Sequence, residues 1–130
     1  MSTLADMAVI TADHADEKLR FFAGIDPETQ DIEVHELRED LEWTDRRGAL
    51  VDEELHEVAA RDSYEHSMDA TNVNQIIKVA DDKVLFTGFV GDDVAIAAFE
   101  RGIFPLLPGI VAEFREYLES RDIDFISLEM

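Results

Sequence analysis

Three short runs near the middle of the chain decide its fold: Val73-Asn74-Gln75-Ile76-Ile77-Lys78-Val79, Lys83-Val84-Leu85-Phe86-Thr87-Gly88-Phe89-Val90 and Val94-Ala95-Ile96-Ala97-Ala98-Phe99. All three are rich in β-branched or aromatic residues and are of strand length. Asp81-Asp82 separates the first two and Gly91-Asp92-Asp93 the last two, and both separators have turn composition. The pattern predicts a three-stranded antiparallel meander.

Upstream, Leu19-Arg20-Phe21-Phe22-Ala23-Gly24-Ile25 is another short apolar run, closed by the turn residues Asp26-Pro27-Glu28-Thr29. Gln30 to Leu37 follows, with Ile32 and Val34 alternating against Glu33 and His35 as in a half-buried strand. These two runs predict a hairpin. From Thr3, the residues Leu4, Met7, Ala8, Thr11, Ala15 and Leu19 recur at spacings of three and four, the stripe of an amphipathic helix. Thr44 to about Met68 places Leu50, Val51, Leu55, Val58 and Ala59 at helical spacing, with Thr44 as N-cap and a break near Asp62-Ser63. Beyond the meander, Leu107, Ile110, Val111, Phe114 and Leu118 mark a last helix with Pro108 in its first turn. The tail from Asp124 to Met130 is expected as an edge strand or a docked segment. The expected architecture is therefore α+β, a five-stranded antiparallel sheet with helices packed on it in the order αββαβββα. A length of 130 residues is that of one domain, spanning 1–130.

Charge constrains function more than any motif does. Asp and Glu number 31 against 11 Lys and Arg, a formal charge of −20 that repels itself in any compact state. Concentrated salt relieves this, because the Debye length falls from about 10 Å at 0.1 M to about 3 Å at 1 M. Three lysines (Lys18, Lys78, Lys83) against eight arginines, with acid on nearly every polar face, resembles the proteins of halophilic archaea. The same sign argues against nucleic acid and against anionic membrane surfaces as direct partners. Disorder is excluded by 46% apolar residues and eight Phe. The absence of cysteine removes disulfides, thiolate nucleophiles and Cys-based zinc sites. With no signal-like leader and no apolar run near the roughly 20 residues of a spanning helix, the expectation is a soluble cytoplasmic protein whose partner is another protein.

Catalytic chemistry finds little support. Asp52 with His56, and Asp62 with His66, stand at i, i+4 and are the candidates for a divalent metal. A carboxylate-bridged di-metal bundle needs more such helices than this chain offers, so solvated helix surface is the competing reading. Ser63, Ser67 and Ser120 lie outside any Gly-x-Ser-x-Gly elbow, and Thr87-Gly88-Phe89-Val90-Gly91 lacks the Gly-Lys-Ser/Thr end of a phosphate loop. No cofactor is expected. Asp81-Asp82 with Asp92-Asp93 could attract a cation, or simply serve as turn residues. Phe21, Phe22, Phe86, Phe89 and Phe99 could line a small apolar cavity, or pack the core. Trp43 is read either as a staple before Thr44 or as an interface anchor.

The element order is similar to that of the Roadblock/LC7 family, within the wider profilin-like group. Phe22-Ala23-Gly24-Ile25-Asp26, Ile76-Ile77-Lys78-Val79, Val84-Leu85-Phe86-Thr87-Gly88-Phe89 and Val94 to Phe99 carry the likeness, which spans roughly Leu4 to Glu119. The turn Asp26-Pro27-Glu28-Thr29 departs from the Asp-Gly type common there. The resemblance implies a homodimer through paired second helices and adjoining strands, serving as a non-catalytic platform for small GTPases or other nucleotide-dependent machines. It transfers no catalytic residue. The expected interface is Leu50, Val51, Leu55 and Val58 with Val73 beside them; the competing reading is that these side chains only cover their own sheet. The expected function is that of a non-enzymatic regulatory or scaffolding protein of a halophilic archaeon. A small-molecule-binding sensory domain of the PAS or GAF sort is the alternative.

Overall fold

The chain opens on an N-cap: the Ser2 hydroxyl accepts the Ala5 N–H at 3.3 Å and starts α1, Thr3–Ala15. The computed structural model describes residues 2–128, the side chains of residues 58 and 59 excepted. After a 3₁₀ turn come β1 (Leu19–Ile25), β2 (Ile32–Leu37), α2 (Asp45–Ala59), α3 (Arg61–Met68), β3 (Gln75–Val79), β4 (Val84–Val90) and β5 (Asp93–Phe99). A 3₁₀ segment, Arg101–Leu106, then leads into α4, Leu107–Ser120. The strands form one antiparallel sheet in the order β2-β1-β5-β4-β3. The expected meander is β3-β4-β5, and the expected hairpin is β1-β2.

Turn chemistry sets the strand ends. Gly91 takes φ +59° in the two-residue connection between the paired Val90 and Asp93, a left-handed conformation that favours glycine. Asp26 Oδ1 accepts the N–H groups of Glu28 and Thr29, and Gln30 N–H returns to the Asp26 carbonyl at 2.7 Å. That loop holds Gln30 and Asp31 out of β2, which therefore begins at Ile32 rather than Gln30.

The sheet is covered on both faces. On one side α1 and α4 bury Leu4, Met7, Ala8, Leu107, Ile110 and Leu118 against Phe22, Val84, Ala97 and Phe99. On the other, α2 buries Val51 and Leu55 against Phe21, Ala23, Ile25, Leu85, Val94, Ile96 and Ala98. Period-two alternation explains the division, since neighbours such as Phe21 and Phe22 point to opposite faces. The five aromatics considered as one cavity lining are thus shared between two layers. The tail forms no strand among the described residues: it docks, with Phe125 edge-on to Phe114 at 6.1 Å between ring centres. Residues 129 and 130 lie outside the described residues.

Candidate functional site

The second helix starts as its sequence directs, with the Thr44 hydroxyl accepting the Arg47 N–H at 3.2 Å. Two residues of its inward stripe are buried on its own sheet. Val51 is 0% and Leu55 6% exposed, and Leu50 packs half-buried at the margin of the same layer. Trp43 packs edge-on to Phe21 at 5.2 Å, closing the end of the layer. The Val58 side chain lies outside the described residues. Val73 precedes β3, half-buried, with its N–H donating to Glu65 Oε1 at 3.1 Å.

A charged group sits inside this layer. Glu54, only 5% exposed, receives the Lys78 ammonium at 2.7 Å and the hydroxyl of buried Thr87 at 3.1 Å. Lys78 also pairs with Glu57. Desolvation pulls the Lys78 pKa down, but its hydrogen bonds to Glu54 and Glu57 outweigh that and leave it raised. The three side chains tie α2 to β3 and β4 at a fixed register. A carboxylate at i+3 from Val51 and next to Leu55 was a readable sign of this in the sequence, hidden by the abundance of acid elsewhere.

Beside that tie lies the free edge of the sheet. β3 ends the strand order, so one side of its backbone faces away from any sheet neighbour. From Thr71 to Ala80 the chain has no Asp or Glu, and Val79 is 64% exposed. The opposite edge differs: β2 carries exposed Glu33 and half-buried Glu36. α3 lays Arg61 over the Phe89 ring of β4 at 4.4 Å, and its Tyr64 and Met68, one turn apart, are exposed.

The metal candidates do not converge. His56 Nδ1 lies 2.8 Å from the Asp52 carbonyl oxygen and 3.9 Å from its carboxylate, while Asp62 and His66 are both exposed on α3. Among the described residues no group of three or more His, Asp or Glu could hold a metal ion. The acidic turns do not meet either: successive hairpin turns fall at opposite ends of β4. Asp93 instead sits with Asp26, Asp92 and Glu33, and its pKa is raised by desolvation and by those three charges. At the outer end of β1, Arg38 spans the Asp40 carboxylate at 2.6 Å and Glu100 at 2.7 Å, and Arg20 joins Glu100 at 3.0 Å. Hydrogen bonding to Arg38 holds both carboxyls below their ordinary range. No helix among the described residues is long and apolar enough to cross a membrane.

Solved structures share this arrangement. Myxococcus xanthus MglB matches with a TM-score of 0.65 at 11% identity, over 92% of this chain and 87% of that one. A Roadblock/LC7 domain from Streptomyces avermitilis matches with a TM-score of 0.59 at 12% identity, over 88% and 95%. The fold is that of a Roadblock/LC7 domain. No protein-family model and no curated protein matches the sequence. The Roadblock/LC7 likeness is therefore carried by backbone path, and by the five-stranded sheet between two helical layers.

Proposed function

We propose that this chain is a non-enzymatic regulatory or scaffolding domain that works as a homodimer joined along β3. The observation that carries the reading is the β3 edge. Native edge strands are normally protected by charge, proline or a covering element, because a bare edge pairs with another strand. Here the single charge on β3, Lys78, is turned to Glu54 and Glu57, and no acid occurs over ten residues of a chain that is otherwise heavily acidic. Uncharged surface on such a background marks what is covered. The proposed contact takes in Val73 before β3 and exposed Val79 at its far end, whose side chain is on the α1/α4 face, together with half-buried Leu50 of α2 on the other face, while Val51 and Leu55 hold α2 on its own sheet.

The acidic remainder of the surface suits a partner with a basic docking face, since complementary potentials steer association. By the family likeness that partner is a small GTPase or another nucleotide-dependent machine in the cytoplasm. The charge itself we read as adaptation to the concentrated salt of a halophilic archaeon.

Sedimentation equilibrium in molar KCl tests the dimer. The wild-type chain is expected at twice its formula mass. Val79→Glu, at an exposed position with no core role, is expected to sediment as a folded monomer. A wild-type chain that remains monomeric at its highest soluble concentration overturns the reading.

A further inference from the structure

The helical layer opposite α2 contains a cleft of about 90 Å³ between α1, α4 and the face of β4 and β5. Its origin is legible residue by residue. Gly88 and Ala95 are directly paired across β4 and β5, and Ala97 lies next along the same face, so three small residues leave a dent in the sheet. Large side chains surround the dent instead of filling it: Phe22, Phe86, Phe99, Ile110, Phe114 and, from the tail, Phe125. Gly88 cannot be enlarged cheaply, because a Cβ there would lie 2.9 Å from Gln75 Cγ and 3.2 Å from the Asn74 carbonyl oxygen.

The chemistry of the lining is narrow. It contains no charged side chain. The Thr11 hydroxyl donates to the Met7 carbonyl at 2.7 Å, and the Thr87 hydroxyl is committed to Glu54. No buried side-chain nitrogen or oxygen among the described residues lacks a partner, so nothing inside calls for a polar ligand. The polar groups that remain, Gln75 and Ser127, stand at the rim and bond one another at 3.0 Å. Gln75 also donates to the Ile126 carbonyl at 3.4 Å, so this pair latches the tail across the opening.

We propose that the cleft is a binding site for a small, neutral, apolar group, a monocyclic aromatic or a short branched hydrocarbon, and that residues 123–128 are its cover. The volume is about three times a water molecule's share of the liquid, and apolar cavities of about 150 Å³ take up benzene or xenon. At about 90 Å³ the cleft is smaller than that, so under the proposal benzene requires residues 123–128 to yield.

The probes are benzene and xenon, titrated into the full chain with methyl chemical shifts as readout. Saturable shifts are expected at Met7, Leu107, Ile110 and Val111, with Val51, Val94 and Ile96 in the other layer unmoved. Ala97→Leu, which fills the dent, is expected to weaken benzene binding about tenfold or more while the methyl spectrum of the α2 layer is retained. Ala95→Val serves the same purpose should that variant fail to fold. Ser127→Ala unlatches the tail and is expected to speed exchange of the probe about fivefold with little change in affinity. Absence of any saturable shift up to the solubility of benzene, or equal shifts in both layers, overturns the site. Unchanged exchange in Ser127→Ala overturns the role of the tail.

Discussion

Glu54 occupies a position that the helical stripe would normally give to an apolar residue, and it is tolerated there because Lys78 and Thr87 satisfy its carboxylate. Removing one partner of a buried ion pair costs more than the pair contributes, since a charge is left in low dielectric. Lys78→Met is therefore expected to lower unfolding free energy by about 3 kcal/mol at neutral pH in urea titrations. The Lys78 pKa is raised in the folded parent, so the stability the tie contributes is full at neutral pH and is lost as pH rises through that raised value, where parent and variant converge. A variant as stable as the parent at neutral pH shows that the tie contributes nothing. The stripe Val51, Glu54, Leu55 was visible in the sequence, but which cation meets Glu54 was not. Lys78 lies 24 residues away, and only the β3-β4 pairing brings it and Thr87 to the same place.

At the scale of elements, α2 is a core element before it is anything else. Burying Val51 and Leu55 is worth about 2 kcal/mol each. Leu55→Glu puts an unpaired charge into that layer and is expected to cost more than about 4 kcal/mol, seen as loss of the cooperative thermal transition in molar salt. A folded Leu55→Glu chain would move this residue out of the core. Strands were legible because alternation and turn residues are local signals: Gly91-Asp92, Asp81-Asp82 and Asp26-Pro27 each fall where a turn is found. Less local features were not. The helical region breaks at Ala60, two residues before Asp62-Ser63, although no glycine or proline marks the spot. The 3₁₀ segment around buried Ile103 and the docking of Phe125 depend on what lies across the sheet, and no periodicity within a few residues encodes that.

The whole molecule is governed by its charge. With a formal −20 and only eleven strong cations, most carboxylates have no cation of their own, and ion pairs such as Arg38 with Asp40 and Glu100 are local exceptions. Raising KCl from about 0.1 M to above 1 M shortens the screening distance roughly threefold and is expected to stabilise the fold by a few kcal/mol. For a chain of this length that moves Tm upward by roughly 10 °C, measurable by scanning calorimetry; an unchanged Tm would argue against salt adaptation. The two margins of the sheet add a limit on growth. Under the proposed pairing, a twin presented in the opposite sense would satisfy the neutral rim on β3, while the acidic rim on β2 would repel a third arrival, so assembly is expected to stop at two and fibres to lack a seed from which to lengthen.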